Sequence, residues 1–453
     1  MKPEFSQRMR VLAWALWDWG TSAFSAVVTT FVFARYLVSD FFVDPAVLEA
    51  WQAAGGAASA PGPAREAYEA ALAGLTSNLG WALALGGFAV AALAPVVGQR
   101  TDAGGRRKLW LGVNTGVVIA AMFAMFFIQG QPRFFLAGIV LLTLANVFYE
   151  MANVNYNAML LQISTPETMG RVSGFGWGMG YLGGIVVLGL ALVGFILGEG
   201  PYWFGVTQAN GLNIRAVVLL AAVWSLVFAI PVFLAVPENQ ASDPEAPAGL
   251  LDSYRRLFRR IAGLYRNTRV TFWFLLASAV YRDGLAGVFA FGGILAGAVF
   301  GLSDTQVLFF AMASNLVAGL GVFLSGFLDD RIGPKRVIVG SLVGLVLAGL
   351  VLFALHDRGP VVFWVAGLAM TLFVGPAQAS SRSFLGHLAP EGAEGEIFGL
   401  YATTGRAVSF LTPAAFALLV GVFGGAWGGI LGIVAVLGTG LVLLLPLRAE
   451  FVR

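Results

Sequence analysis

The chain has 453 residues, of which 58% are hydrophobic and only 11% charged, with a mean hydropathy of +0.82. A soluble domain carries about 25% charged residues, so a soluble enzyme is excluded, and the apolar content excludes a disordered chain. There is no cysteine and only two histidines, His356 and His387. These counts exclude disulfides and thiolate chemistry and leave no material for a histidine-built metal centre.

A spanning helix needs roughly 20 apolar residues. Twelve apolar segments follow one another, at 9–38, 75–98, 109–129, 133–160, 171–197, 213–236, 269–299, 305–328, 335–356, 360–387, 397–421 and 425–447. The first contains Asp18 and is too long for a cleavable signal peptide. Residues 39–74, rich in Ala, Gly and Pro, are expected to form an external loop. Residues 237–268 open with a polar stretch and continue as a basic amphipathic helix over 250–267. That helix reads as a linker between two halves, with a regulatory or lipid-sensing role on the anionic inner leaflet as the alternative.

The net charge of +3 is a matter of topology and not of nucleic-acid binding. Nineteen Lys and Arg fall on the side of the termini. Five (Arg35, Arg65, Arg133, Arg215, Arg358) fall on the other, and Arg282, Arg382 and Arg406 lie within apolar segments. Basic residues stay cytoplasmic, so both termini are expected in the cytoplasm and the chain in the cell membrane.

The sequence repeats itself. Gly98, Asp102, Gly105, Arg106 and Arg107 follow the second segment; Gly326, Asp330, Gly333, Lys335 and Arg336 follow the eighth, a shift of 228 residues from 98 to 326. Pro166, Glu167, Gly170 and Gly174 return as Pro390, Glu391, Gly395 and Gly399. More loosely, Trp17-Asp18-Trp19-Gly20 returns as Tyr281-Arg282-Asp283-Gly284. Two six-helix halves follow, over 1–236 and 269–453, joined by 237–268; parallel repeats of this kind are a transporter design.

The doubled loop motif resembles the hallmark of the major facilitator superfamily. The resemblance implies an all-α membrane protein with twelve transmembrane helices in two pseudo-symmetric six-helix bundles. It also implies that Gly98, Asp102, Gly105, Arg106, Gly326, Asp330, Gly333 and Lys335 latch the inward side. Residues 14–24, Tyr281–Gly284, Phe289–Gly293 and Gln378–Ser383 narrow it to a branch similar to the fungal vacuolar amino-acid effluxers and their bacterial relatives. Small-solute transport is implied, with amino-acid export as the first expectation. The fourth segment is more polar than that branch leads one to expect.

Charges inside apolar helices cost about 2.5–3.5 kcal/mol each on insertion scales and face a cavity or one another. Here they are Asp18, Glu150, Arg282, Asp283, Arg382 and Arg406. Five lie on segments 1, 4, 7 and 10, which the resemblance places around a central cavity. Helical spacing groups Asn146, Tyr149, Glu150, Asn153 and Asn157 on one face. It does the same for Trp14, Asp18, Thr21, Ser25 and Thr29, for Ser278, Tyr281 and Arg282, and for Gln378, Ser381 and Arg382. The first half contributes the acids Asp18 and Glu150, and the second contributes Arg282, Arg382 and Arg406, with Asp283 beside Arg282. The expectation is ion pairs across the halves, or a zwitterion held by arginine at its carboxylate and by an acid at its ammonium; fixed structural pairs are the bland alternative. Asp18 and Glu150 are the candidate coupling groups, for a proton or a sodium ion, and Arg406 a gate residue.

The glycines crowding the fifth segment read as packing or hinging. His387 is expected to be a solvated residue at the inner end of the tenth segment. No nucleotide-binding loop is present, so direct ATP drive is not expected; with no cysteine, two poorly placed histidines and no paired catalytic carboxylates, neither a cofactor nor an enzymatic activity is expected. A small-molecule substrate and the lipid bilayer are the expected partners, with the chain acting as a monomer. Export of amphipathic drugs or lipids, or ligand sensing without transport, are the alternative readings.

Overall fold

In the computed structural model, residues 6–56, 62–198, 202–238, 250–302 and 304–447 are described. Lys2, Arg448, Arg453 and residues 239–249 of the polar linker stretch lie outside them. The described residues are helical, with no strand among them.

The membrane helices of the first half are α1 (Gln7–Ala23), α2 (Pro63–Gly104), α3 (Arg107–Met125), α4 (Phe135–Ala158), α5 (Met169–Ala191) and α6 (Leu212–Ala235). A linker helix, Leu250–Asn267, follows. The second half holds α7 (Arg269–Ala298), α8 (Asp304–Ile332), α9 (Pro334–Ala354) and α10 (Pro360–Leu388). It ends with α11a (Glu394–Ala407), α11b (Leu411–Phe423) and α12 (Gly428–Leu444). Ten helices are long and apolar enough to cross a membrane. The first, which continues as a π-helix over Phe24–Phe31, and the last, at 17 residues, complete the twelve.

Packing follows the repeat. α1 lies on α6 as α7 lies on α12, α3 on α4 as α9 on α10, and α2 on α4 as α8 on α10. The third echo in the sequence serves this packing. A Cβ on Gly20 would meet Phe228 of α6 at 2.7 Å, and one on Gly284 would meet Leu437 of α12 at 2.8 Å. Small residues let helices approach closely where lipid offers no hydrophobic drive. Contacts between the halves run through α2 with α11a and α5 with α8. They lie toward the face that carries Gln7 and Leu447, called here the terminal face; the other is the distal face.

Two elements depart from expectation. The external loop is shorter than 39–74, because α2 begins at Pro63 and runs 42 residues. At 1.5 Å per residue it is about 63 Å long, roughly twice the hydrocarbon thickness. Its protruding end is held by aromatic contact: Tyr68 stacks on Trp51 at 3.9 Å and donates a hydrogen bond to Asp40 at 2.5 Å. The eleventh segment is broken at Val408, Ser409 and Phe410.

The break exposes the N-terminus of α11b, and Asp283 of α7 covers it. The Thr412 backbone N–H donates to Asp283 Oδ2 at 2.6 Å. A carboxylate at a helix N-terminus satisfies a free N–H and complements the helix dipole. Asp283→Ala leaves that donor unpaired in a buried setting, so the variant should lose about 1–2 kcal/mol of stability. Asp283→Asn, which keeps an acceptor, should lose less. Thermal unfolding in detergent checks this, and equal melting of all three proteins would remove the cap from the account.

Candidate functional site

A cavity of about 1020 Å³ lies between the halves, at the upper end of the range for small-molecule sites. At its deep end are Asp18, Asn157 and Arg382. Toward the distal face it is walled by the apolar side chains Leu188, Val307, Phe363 and Ile430, with Arg35 among them.

Arg382 of α10 forms the floor and is bonded entirely to the other half. Its Nε donates to Ser173 Oγ (3.0 Å), Nη1 to Asn157 Oδ1 (3.0 Å) and Nη2 to the Ser173 carbonyl (2.6 Å). The guanidinium also lies 4.9 Å over the Trp14 ring, a cation–π contact. Trp14 is stacked on Tyr156 at 4.4 Å and donates to its carbonyl at 3.0 Å, which braces the ring beneath the arginine.

Asp18 faces the cavity with no hydrogen bond or ion pair among the described residues. Gly180 of α5 leaves it room, since a Cβ there would stand 3.0 Å from its carboxyl carbon. Arg282 is the residue matching Asp18 in the repeat. It donates from Nη1 to the Tyr401 carbonyl at 2.9 Å and lies 3.6 Å over the Tyr401 ring. Nearer the distal face, Arg406 of α11a meets Glu150 of α4 at 2.5 Å, an ion pair across the halves.

Between this floor and the terminal face, each loop motif of one half grips the other half. The Asp102 carboxylate accepts the Glu396 backbone N–H at the start of α11a at 3.0 Å, and is paired with Arg107, which also reaches Glu394 at 3.2 Å. The Asp330 carboxylate accepts the Gly170 N–H at the start of α5 at 2.8 Å and pairs with Arg171 at 2.5 Å. The two echoes in the sequence are thus docking partners: the Gly–Asp loop of each half seats on the Pro–Glu–Gly helix start of the other. Gly98 lies against the Gly395 carbonyl, where no Cβ fits, and a Cβ on Gly326 would stand 3.1 Å from the Gly170 carbonyl oxygen. Gly105 (φ +57°) and Gly333 (φ +86°) make left-handed turns that favour glycine.

Several expected positions move. Trp14, Tyr281 and Ser381 are buried and off the cavity wall, because neighbours satisfy them. Tyr281 and Ser381 share a 2.6 Å hydrogen bond, and Thr21 donates to the Trp17 carbonyl at 2.9 Å. Asn146, a turn beyond Glu150, is also off the wall, whereas Tyr149, Glu150, Asn153, Asn157, Arg282, Gln378 and Arg406 line it. Thr30 replaces Thr29 on the wall, because the wider turn of the π-helix over Phe24–Phe31 rotates the stripe; both hydroxyls donate to the Ser25 carbonyl at 2.7 Å.

Arg106 is exposed; Arg107 makes the pair with Asp102. Lys335 caps the last helix through the Leu445 carbonyl (2.8 Å) and the Leu447 carbonyl, as Lys108 caps α6 through Phe233 and Val236 (3.1 and 3.0 Å). His387 is tied to the other half, 3.1 Å from the Pro166 carbonyl. Sequence reasoning did not single out Trp177, Tyr181, Ser314 and Asn315, which line the cavity from α5 and α8. Tyr181 donates to Gln378 at 3.1 Å. Trp177 and Tyr181 stand four residues apart among the α5 glycines, and that spacing was the available signal.

Twelve helices in two repeated bundles around a central cavity define a multi-pass secondary transporter of major facilitator type. The chain superposes on the fucose:proton symporter FucP of E. coli with a TM-score of 0.67 over 98% of both chains, at 13% identity. More particularly, it belongs to the Atg22-like vacuole effluxer family, which it matches over residues 6–451. It is 27% identical over 436 residues to the MFS-type transporter YxiO of Bacillus subtilis (strain 168), covering 95% of this chain and 93% of that one. It is 25% identical over 277 residues to autophagy-related protein 22-2 of Aspergillus clavatus, covering 56% of this chain and 44% of that one. The match thus spans less than half of the fungal protein. This kinship is with transporters and not enzymes.

The latch makes a direct prediction. Asp102→Asn removes the charge that holds both Arg107 and the α11a N-terminus, so the terminal face should open more often. The chain has no cysteine, so a single Ala158→Cys probe, buried beside this latch, reports opening without background. Maleimide labelling should be several-fold faster in the Asp102→Asn background; equal labelling would show that Asp102 does not hold the closure.

Proposed function

We propose that the chain moves a small polar or zwitterionic solute, an amino acid or a close analogue, across the cell membrane by alternating access of bundles 1–236 and 269–453 about the linker 237–268. The observation that carries this reading is the pair Asp18 and Arg282. They are a carboxylate and a guanidinium at equivalent positions of the two halves, facing one cavity, and Asp18 has no hydrogen bond or ion pair among the described residues. A free carboxylate suits a substrate ammonium, and a guanidinium stacked on Tyr401 suits a substrate carboxylate. Arg382 is the floor that ties the halves together beneath the bound solute.

The excess of basic residues on the terminal face makes that face cytoplasmic. With the cytoplasmic latches closed and the cavity extending to the distal face, the conformation is outward-facing. Asp18 is the coupling group: with no ion pair among the described residues and Arg382 acting on it only through charge, it takes a proton or the substrate ammonium in turn. The ion pair Arg406–Glu150 spans the halves and breaks as they rock. The chain works as a monomer, since one chain encloses the cavity.

A second reading, export of amphipathic compounds, draws on the apolar distal wall, including Phe289, Phe310 and Phe363. A thermal-shift screen of purified protein separates the two. A ligand at a hundred times its Kd adds about 2.7 kcal/mol to folded-state stability. Stabilisation by zwitterions, lost in Arg282→Ala, is the expected result; stabilisation by amphipathic compounds alone would favour the second reading. Binding without flux in proteoliposomes would make the protein a sensor.

With the substrate in hand, Asp18→Asn should retain solute exchange in proteoliposomes and lose accumulation driven by a pH gradient. Unchanged accumulation would remove Asp18 from coupling, and accumulation driven by sodium alone would assign the other ion.

A further inference from the structure

The linker helix Leu250–Asn267 presents distinct faces at helical spacing. Leu257 and Leu264 are buried, and with Ser253 they seat the helix on the bundle. The Tyr254 hydroxyl donates to the Ala92 carbonyl at 3.0 Å, and Arg100 Nε donates to Ser253 Oγ at 3.4 Å. A second face is apolar and uncovered. Leu251, Phe258 and Tyr265 recur every seven residues and are 69%, 68% and 48% exposed. Beside that stripe runs a third face of Arg255, Arg259 and Arg266, all exposed.

The helix lies along the last turns of α2, from Ala92 to Arg100, and leads into the start of α7, both membrane-spanning helices, which puts it at the bilayer surface. An apolar stripe edged by arginines, at that depth, matches acyl chains beneath phosphate headgroups. The same helix touches the latch. Arg260 forms an ion pair with Glu396 at 3.6 Å, and the Glu396 backbone N–H is the one that Asp102 holds.

We propose that the linker helix binds anionic phospholipid, with headgroup phosphates on Arg255, Arg259 and Arg266 and acyl chains against Leu251, Phe258 and Tyr265. Through Arg260 and Glu396 this seating favours the closed terminal face. The inference is independent of what the central cavity carries. Phosphate chemistry has a second source, because a cavity of about 530 Å³ lined by Arg256, Arg259, Arg260 and Glu396 adjoins the arginine face and shares Arg259 with it. A soluble phosphate compound fits there, and the experiment separates the two.

The full chain is placed in nanodiscs of phosphatidylcholine with or without phosphatidylglycerol, and a bimane is attached at Phe258→Cys. Brominated phosphatidylglycerol should quench it more strongly than brominated phosphatidylcholine. The preference should fall by about fivefold for each of Arg255→Gln, Arg259→Gln and Arg266→Gln, at roughly one basic-residue contact each, and should fade in high salt. Arg260→Gln should leave the quenching preference intact. In a separate protein carrying Ala158→Cys, phosphatidylglycerol should slow labelling of that probe, and Arg260→Gln should abolish the slowing. Equal quenching by both lipids, or none, in a variant that melts like the parent would overturn the proposal. So would reproduction of the slowed labelling by inorganic phosphate in phosphatidylcholine alone, which would assign the anion to the arginine cavity.

Discussion

At the terminal face one kind of contact between the bundles is used twice: a carboxylate from one half placed on the N-terminus of a helix in the other. Asp102 takes the Glu396 N–H, and Asp330 takes the Gly170 N–H. Helix starts carry free donors and partial positive charge, so an aspartate is the natural ligand for one. The contact is directional and short, and the same side chain pairs with an arginine. Glycines 98 and 326 bring the backbones close enough for the carboxylates to reach. Closure of the terminal face, the depth of the cavity and the placing of the linker helix against Glu396 all follow from these two grips.

The repeat is symmetric in backbone and asymmetric in charge, and the asymmetry makes the cavity chemical. Trp17 and Tyr281 are both buried, and Gly20 and Gly284 each seat a neighbouring helix, yet the residue between them is Asp18 in one half and Arg282 in the other. Each such charge costs about 2.5–3.5 kcal/mol to insert. Arg382 and Arg406 offset that cost through bonds to the opposite half, and Asp283 through the start of α11b. Asp18 makes no hydrogen bond or ion pair among the described residues and feels Arg382 through charge alone, which sets it apart from the charges that serve structure.

Much of this architecture was readable from local pattern. Segment positions, the 228-residue repeat and the clustering of basic residues are properties of short windows, and they matched the helices to within a few residues in most cases. The α2 extension was missed because its first turns stand outside the membrane, where Ala, Gly and charged residues look like loop. The break in the eleventh helix had a local signal that the segment reading passed over: Pro413 has no N–H for the Ser409 carbonyl and its ring crowds it, and a carboxylate on another helix then caps the new helix start. The amphipathic character of residues 250–267 was plain, but not that one stripe of it would be covered by α2 and α7.

What the sequence by itself determined is the class of molecule: a membrane-spanning, two-fold repeated helical transporter fold with charges in its interior. Hydropathy and charge act additively along the chain, so counting suffices. Which polar side chains face the cavity was decided only by the tertiary structure. A helical stripe of period 3.6 covers a wider arc than the cavity opens, and the residues at its edges, Trp14, Thr21, Tyr281 and Ser381, are satisfied by neighbours instead. The partners of the latch were likewise out of reach. Asp330 pairs with Arg171 rather than with the adjacent Lys335, because helix packing, and not sequence distance, brings an acceptor to its donor.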